Sequence, residues 1–547
     1  MKKILIKYSF IAALLGSQFA CTEKIDEAYL NPNADAKVPV EKLLPQIISA
    51  TVGNYGGHGT MNDARYLGAY IQNFAFYLPN SNFDQMGHFY NPADVGQSIW
   101  RMHYYDIGQN NMRMIQWAEE DKKWDYAGVG QAIFGWSWLT IADVNAEIIV
   151  KEAFNTSQIT FKYDTQEDAY NLARDYCFKA LANLNKTGDA VSQANLALGD
   201  AFMYNGDANK WKKFVYGILA RYYNHFSNKA SYKADSAIYY SNLAMTDNAD
   251  NAMVKFAATA LSATNNFLGP LRNNLGGTGT TSPTAIRQGA FIANLMNGTN
   301  AEFLGAQDPR AWHMLRGNSN GTIVGVEPNV GQAVISSLNR PENFWGTSQA
   351  GSASNASPAV ESGRFLFRNA APIPLMTASE MYFIKAEAAW RKGDKVTAYE
   401  AYKEGISKSF DLLSGTYNVN IPAGKEITAA NKLAYMTNPL VVPATANGLN
   451  LSKIMLQKYI SLFAHGVMET WVDMRRYHYL DTDPSTGNQV YRDFRLPAVI
   501  FPDNGGKTVN RVRPRYNSEF VWNLLELQRI GATDLDYHVR EMWITKP

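Results

Sequence analysis

Three short segments of the 547-residue chain place aromatic side chains directly beside amides or a carboxylate. An aromatic ring offers an apolar face for stacking, and a neighbouring amide offers a hydrogen-bond donor and an acceptor to a polar ligand. The rings lack apolar partners at the spacing that would assign them to a helix core. We therefore expect these side chains to be exposed and to bind a ligand. The segments are Asn82-Phe83-Asp84, Phe89-Tyr90-Asn91 and Asn343-Phe344-Trp345.

Trp345 is the strongest of these candidates, and Trp312 is a weaker one that could instead pack under its loop. By analogy with base stacking, a ring stack contributes about 1–3 kcal/mol. Replacing Trp345 with alanine should then weaken binding about ten- to a hundredfold and leave folding nearly intact. A loop aromatic packed on the scaffold predicts the reverse, which is lost stability with little change in affinity.

Motifs for covalent or metal chemistry are incomplete in this sequence. The segment 506–508 resembles the end of a P-loop, but Phe501 stands where its first glycine is required. The segment 481–485 begins like a calcium loop, yet Thr486 and Arg492 replace the required Gly and Glu, which favours an Asx/Pro turn. The eight histidines form no zinc-binding pair or cluster. The sequence therefore predicts no catalytic residue, no metal and no cofactor.

The composition is that of a globular protein without a polyanion-binding surface. The chain is 46% hydrophobic and 18% charged, and 51 basic residues against 49 acidic ones give a net charge of +2. Such a balance excludes a disordered chain and argues against nucleic acid as a partner. Its two cysteines, Cys21 and Cys177, cannot form a disulfide scaffold.

The N-terminus has the pattern of an export signal. A basic start is followed by the apolar stretch Tyr8–Leu15 and then by small and polar residues. Cys21 follows Ala20 as in a bacterial lipobox, although Gln18 replaces the usual leucine. An ordinary secreted protein with a chance cysteine is the alternative. We predict a signal peptide over 1–20 and a lipid anchor on Cys21, which would tether the chain to a membrane without spanning it.

Most of the body shows helical periodicity. Thr377 and Glu380 predict a capping box, and Gly393 stands where a helix should end. The small residues from Ala389 to Ile406 resemble a tetratricopeptide helix pair. Other candidate helices lie at about 98–118, 128–150, 166–186, 209–228, 233–246 and 452–478.

Several of the helical side chains have a predicted role in packing. Trp100 shares one face with Tyr104 and Ile107, which predicts a place in the core, and Trp211 and Trp471 are interpreted in the same way. Another stripe, made of acidic and basic residues in the predicted 452–478 helix, is expected to form ion pairs. Its members are Glu469, Asp473 and Arg476.

The stretch from about 247 to 370 is rich in Gly, Ser, Asn and Thr and has weak periodicity. We interpret it as a loop-rich insertion that carries the ligand side of a helical scaffold. A smaller irregular region covers about 74–97, and surface loops without a role are the alternative for both. The predicted fold class is mainly α, in one domain over 21–547. Minor β hairpins are allowed near 247–370 and 480–515.

Four segments together resemble the SusD/RagB family of outer-membrane nutrient-binding lipoproteins. They keep the order in which that family has its motifs, and with the lipobox-like start they cover most of the chain. Asn517 replaces a proline of the last motif, and Tyr459 replaces a tryptophan of the third. The segments are Tyr204–Arg221, Glu380–Gly393, Ile454–Arg476 and Arg515–Asn523.

The resemblance implies a SusD-like fold and a surface lipoprotein that captures a glycan. It further implies delivery of that glycan to a SusC-like TonB-dependent barrel in the outer membrane. Sugar faces stack on aromatic rings while amides bind the hydroxyls, which suits the aromatic–amide segments. A peptide ligand is an alternative. Less favoured are a surface glycoside hydrolase, which needs two poised carboxylates, and a helical scaffold for protein contacts.

Overall fold

The computed structural model describes residues 37–53, 58–87, 97–275, 286–346 and 362–547. The predicted lipid anchor at Cys21 and the candidate ligand residues Phe89 and Tyr90 lie outside these ranges. Helices dominate the fold, as the sequence predicts. The α-helices are Leu44–Val52, Thr60–Tyr70, Ser98–Arg101, Gln109–Glu120, Trp124–Asn145, Gln166–Leu184, Gln193–Ala197, Ala208–His225, Ala234–Leu243, Ala290–Asn297, Ala311–Met314, Ala378–Lys392, Lys395–Gly415, Ala429–Met436, Leu451–Ser461, Val467–Arg476, Tyr516–Trp522 and Leu524–Arg529.

In the described part of the chain, four short strands form two antiparallel pairs. Phe74–Phe76 pairs with Ile286–Gln288, and Ala252–Val254 pairs with Ile373–Met376. Both pairs join segments that are far apart in sequence, so they are not the local hairpins that the sequence allowed. Single bridges from Gly317 to Ile323 and from Thr482 to Gln489 are the local turns of that kind.

The centre of the fold is the helix Trp124–Asn145, whose side chains are buried from Asp125 onward. It packs closely against Gln166–Leu184 because glycines on the contact face keep the backbones near each other. A Cβ added at Gly135 would lie 2.8 Å from the Cys177 sulfur, and one at Gly128 would lie 2.7 Å from the Leu184 side chain. No helix among the described residues is long and apolar enough to cross a bilayer.

The predicted tetratricopeptide-like pair is present as Ala378–Lys392 and Lys395–Gly415. The Thr377 hydroxyl accepts a hydrogen bond from the Glu380 backbone N–H at 3.3 Å, and Gly393 ends the first helix in the left-handed conformation with φ 87°. The other half of the predicted capping box is absent. The Glu380 carboxylate instead pairs with the Arg221 guanidinium, at 2.5 Å from Nε.

The candidate helix at 452–478 is two helices rather than one. Leu451–Ser461 and Val467–Arg476 are separated by a turn in which Ala464 has a positive φ of 66°. The turn folds the second helix back, so that its charged stripe faces Lys458 of the first. Lys458 Nζ lies 3.1 Å from Glu469 and 2.7 Å from Asp473.

This stripe is part of a buried charge network between the helices. Arg476 binds both carboxylate oxygens of Glu387 at 2.8 and 3.0 Å and Asp473 at 2.6 Å. The Asp473–Arg476 contact confirms one part of the predicted pairing along the helix, whereas Glu469 pairs with Lys458. His225 Nε2 lies 2.9 Å from Glu469. Burial alone would lower the pKa of His225, but the neighbouring carboxylates of Glu469 and Asp143 raise it to about 9. The network therefore holds a charged histidine at neutral pH.

Candidate functional site

A cleft of about 610 Å³ opens between the N-terminal helices and the C-terminal segment. Clefts of this size are typical of sites for small ligands. Its wall combines aromatic rings with side-chain amides, two guanidinium groups and one carboxylate. The lining residues are Trp100, Arg101, Tyr104, Tyr105, Gln109, Ile149, Ala153, Phe154, Asn155, Thr156, Gln158, Phe161, Arg515, Ser518 and Glu519.

The aromatic wall starts from one helix. Asp63 accepts hydrogen bonds from the backbone N–H groups of Ser98 at 3.1 Å and of Ile99 at 2.8 Å, which fixes where this helix begins. Trp100 then packs against Tyr104, with ring centroids 4.9 Å apart, and stacks on Tyr163 at 5.8 Å. The rings are thereby held rigidly before any ligand arrives, which lowers the entropic cost of stacking.

Between Ser98–Arg101 and Gln109–Glu120 the helix widens into a π-helix over Met102–Gly108. Such segments are rare and often occur at functional sites. Gly108 is required here because a Cβ would lie 2.2 Å from the Phe154 ring, which packs at this point. Phe154 has a positive φ of 64°, which is unusual for a bulky residue and is held by the rings around it. Both features place Phe154 in the wall of the cleft.

The mouth of the cleft carries the most exposed ring. Tyr105 is 68% exposed, and the guanidinium carbon of Arg101 lies 4.9 Å from its ring centroid. A cation over the ring steadies the tyrosine while leaving much of it open to solvent. Tyr105 is therefore available to a ligand without being part of the core.

Hydrogen bonds join the opposite side of the cleft to the C-terminal helices. Asn523 accepts a hydrogen bond from the Phe161 N–H at 3.0 Å and donates one to the Phe161 carbonyl at 2.8 Å. Glu519 accepts from the Tyr163 hydroxyl at 2.9 Å and from Asn523 at 3.2 Å. Burial raises the pKa of Glu519 in spite of these hydrogen bonds, which favour its charged form. The wall is thus rigid, and its single carboxylate is already engaged.

The predicted exposure of the 343–345 segment is wrong. Trp345 is only 1% exposed, and its indole N–H donates to the Leu268 carbonyl at 2.9 Å. Phe344 stacks on Phe367 with centroids 4.0 Å apart, and Asn343 is buried and accepts a hydrogen bond from the Trp345 N–H. Trp345 and Phe344 hold the loop on the scaffold because their partners, Leu268 and Phe367, lie outside the loop segment.

The other described candidates are partly buried. Phe83 packs on Tyr66 and Phe76, with centroids 5.9 and 6.1 Å apart. Trp312 lies half-buried, and the Lys425 ammonium is 4.7 Å from its ring centroid. Neither residue lines the cleft, and nor does the 343–345 segment. No group of three or more His, Cys, Asp or Glu within the described ranges is arranged to hold a metal ion.

The sequence pattern places two residues that line the cleft, Trp100 and Tyr104, in the core. It indicates no ligand-binding role for the other lining residues. Trp100 is indeed buried, so the periodicity predicted its burial correctly but not its place under a cleft. The adjacent pair Tyr104-Tyr105 is the available signal, because neighbouring side chains of a helix point in different directions. Arg101, four residues before Tyr105, indicates that Tyr105 lies on a polar side of the helix.

The chain belongs to the SusD-like family: a family model described as "Starch-binding associating with outer membrane" matches residues 32–496. Among curated proteins, no sequence matches the chain.

Solved structures of the same type share the fold. A SusD/RagB family protein from Bacteroides thetaiotaomicron is 20% identical, with a TM-score of 0.67 over 93% of this chain and 99% of its own. A chitin-binding SusD homolog from Flavobacterium johnsoniae is 18% identical, with a TM-score of 0.63 over 92% of this chain and 98% of its own. A SusD homolog from Bacteroides fragilis is 17% identical, with a TM-score of 0.63 over 92% and 100%. These likenesses establish a SusD-like, mainly helical architecture.

Proposed function

We propose that the protein binds a glycan in the cleft beside Tyr105 and delivers it to a SusC-like TonB-dependent transporter of the outer membrane. The observation that carries this proposal is the pairing of exposed and pre-packed rings with amides in one cavity. Tyr105 and Phe154 offer faces for sugar C–H groups, and Gln109, Asn155 and Gln158 offer donors and acceptors for hydroxyls. Membership of a family described as starch-binding, and the likeness to a chitin-binding homolog, support the same ligand class.

Binding without hydrolysis fits the charges of this cavity. A glycoside hydrolase uses two carboxyl groups, separated by about 5–5.5 Å or 6.5–9.5 Å across the scissile bond. Glu519 is the one carboxylate among the described residues that line the cleft. Its carboxylate is held by Tyr163 and Asn523, and no second acid stands among these lining residues to act as its partner. This favours capture of the glycan over its cleavage.

The exposed rings test glycan binding directly. Tyr105→Ala removes a 68% exposed side chain, so the fold should survive while the sugar loses its stacking surface. If the stack contributes about 1–3 kcal/mol to binding, its loss should lower the affinity roughly five- to a hundredfold. Calorimetric titration of the detergent-solubilised full-length protein with starch and chitin oligosaccharides measures this.

Tyr239→Ala is the matched control for that experiment. Tyr239 is 58% exposed and lies on the Ala234–Leu243 helix, outside the cleft. Its loss should leave the affinity unchanged. Equal affinity of wild type and Tyr105→Ala would rule out the cleft mouth as the glycan site. The partly buried Phe83 and Trp312, together with Phe89 and Tyr90, would then be the candidates to replace next.

The membrane location rests on the N-terminal pattern and the family. We propose that Cys21 carries the lipid anchor and that the folded body faces the cell surface. Two or more acyl chains hold a protein stably at a bilayer because each buried CH₂ contributes about 0.8 kcal/mol. Cys21→Ser should release the protein from washed outer membranes, and protease accessibility on intact cells should report its orientation. A Cys21→Ser protein that still fractionates with the membrane and needs detergent would contradict the anchor.

An apolar strip beside the cleft is our candidate contact surface for the transporter. Val521 and Trp522 are each 61% exposed, Leu525 is 82% exposed and Ile159 is 71% exposed. The two Asn523 hydrogen bonds to Phe161 hold the chain around Ile159 next to this helical turn. Exposed apolar clusters of this kind mark interaction surfaces, and a partner seated here would lie next to the bound glycan.

Co-purification from native membranes in mild detergent tests the partnership. A barrel protein should accompany the wild-type chain, and Leu525→Glu should weaken that association. Leu433→Glu is the matched control because Leu433 is 63% exposed on Ala429–Met436, away from the strip. Wild-type protein that purifies without a barrel partner would contradict transport delivery. An equal loss with both variants would remove the strip from the interface.

A further inference from the structure

We propose that the glycan bound in this cleft is acidic, and that Arg101 and Arg515 bind its anionic substituent, a carboxylate or a sulfate. This inference rests on the proposed function and names the chemical class of its ligand. It arises from Arg101, a guanidinium on the lining that has no carboxylate partner among the described residues.

Arg101 differs from three ion-paired arginines of the scaffold interior. Arg221, Arg310 and Arg476 each lie within 3 Å of a carboxylate oxygen, at 2.5, 2.6 and 2.8 Å. Arg101 has no carboxylate partner among the residues that the structure describes, and its buried Nε has no hydrogen-bond partner there. A half-buried guanidinium without a counter-ion is a costly arrangement, because burial removes part of its hydration and no opposite charge replaces it.

Arg101 lines the cleft, so its unpaired guanidinium is close to a ligand bound there. Its guanidinium carbon lies 4.9 Å from the Tyr105 ring centroid, on the lining of the cavity rather than on the outer surface. Stacking on a ring fixes the plane of the guanidinium and leaves its edge free to donate. Two parallel N–H donors on that edge match the oxygens of a carboxylate or a sulfate.

The charged groups of the described lining are two guanidinium groups and one carboxylate, a formal balance of +1. Arg515 lies in the same wall, and Glu519 is the one acidic residue there among those described. The Glu519 carboxylate already accepts hydrogen bonds from Tyr163 and Asn523. The whole chain carries only +2, so this local excess is not a by-product of a basic protein.

Calorimetric titration with three probes tests the inference on the detergent-solubilised full-length protein. The probes are oligogalacturonides, which carry carboxylates, chondroitin sulfate oligosaccharides, which also carry sulfates, and chitin oligosaccharides of equal length, which are neutral. We expect at least one acidic probe to bind ten times more tightly than the neutral one, and that advantage to shrink as salt rises. A preference for the oligogalacturonide assigns the carboxylate, and a preference for the sulfated probe alone assigns the sulfate.

Variants then locate the charge. Arg101→Gln should reduce the acidic advantage at least tenfold and leave neutral binding within about twofold, and Arg515→Gln should act in the same direction. Arg113→Gln is the control, since Arg113 is exposed on Gln109–Glu120 outside the cleft and should leave all three affinities unchanged. Thermal melts check that each variant is folded.

The failure of this inference can be told apart from failure of the proposed function. Neutral and acidic probes that bind equally, with both affinities lost in Tyr105→Ala, would overturn the acidic ligand and keep the glycan site. An acidic preference that survives in Arg101→Gln and Arg515→Gln together would also overturn it. No binding of any of the three probes or of starch oligosaccharides would overturn both proposals.

Discussion

The segments 98–105 and 343–345 both carry aromatic residues, but the most exposed ring lies in the helical segment and not in the loop. Trp345 lies in a loop without helical periodicity and is buried, while Tyr105 lies in a helical stretch and is 68% exposed. The loop ring is buried because its indole N–H finds the Leu268 carbonyl, 77 residues away. The helical ring is exposed because its neighbour Tyr104 takes the inward position. Periodicity therefore reports which face a residue occupies, but not whether that face borders a cavity or the interior.

The largest expected effect belongs to Trp345. Trp345→Ala removes a fully buried indole and leaves the Leu268 carbonyl without its donor, so unfolding should become easier by about 3–5 kcal/mol. Urea denaturation measures this loss, and glycan titration of the folded fraction should give nearly wild-type affinity. Phe344→Leu keeps most of the apolar volume and should cost less. A folded and stable Trp345→Ala protein with weakened glycan binding would restore the sequence-based prediction that Trp345 stacks on the ligand.

The next effect concerns the polar interior of the scaffold. The pKa of His225 is raised to about 9, above the ordinary value of 6.5, by Glu469 and Asp143. The stability that protonated His225 contributes to the folded protein is therefore fully present below about pH 6.5 and is lost as the pH rises through 9. The difference in unfolding free energy between wild type and His225→Gln should shrink across this window, from at most about 3 kcal/mol.

Denaturant titrations of both proteins from pH 6 to 9.5 measure that difference. Taking the difference removes groups that titrate equally in the two proteins. A difference that stays constant from pH 6.5 to 9 would mean that His225 is neutral in the folded state and that the carboxylates around it are balanced by Arg221 and Lys458 instead.

Gly108 links the scaffold to the cleft and should show an intermediate effect. A Cβ in Gly108→Ala would lie 2.2 Å from the Phe154 ring, so the ring must move at a cost of about 1–3 kcal/mol. Because Phe154 lines the cleft, glycan affinity should fall together with the melting temperature. Gly415→Ala is the control, since nothing lies within 4 Å of an added Cβ there. Unchanged stability in Gly108→Ala would show that the π-helix tolerates a side chain at this point.

The scaffold was largely predictable and the cleft was not. Thr377 and Gly393 marked the ends of a helix because capping uses local hydrogen bonds and a local positive φ, and both signals are written in neighbouring residues. The break at Ala464 had only a weak local signal, Gly466 just before the second helix, because alanine itself favours helices and its positive φ accompanies a hydrogen bond from its N–H to the distant Asn73. The cleft is harder still, because its walls come from segments more than 350 residues apart that meet through Asn523 and Phe161.

Among these variants, Tyr105→Ala should change stability least, although it should weaken glycan binding. Because its ring is mostly in solvent, Tyr105→Ala should alter the unfolding free energy by no more than about 0.5 kcal/mol. Parallel melts of Tyr105→Ala and Trp345→Ala would then separate a surface ring from a core ring. A large loss of stability in Tyr105→Ala would mean that its stack with Arg101 supports the fold rather than a ligand.

A structure of the protein with an oligosaccharide bound tests the central claim most directly. The account predicts a sugar ring against Tyr105 in the cleft, within hydrogen-bond reach of Gln109, Asn155 or Gln158, with the 343–345 segment still buried. A ligand seated on Trp345 or elsewhere outside the cleft would contradict it.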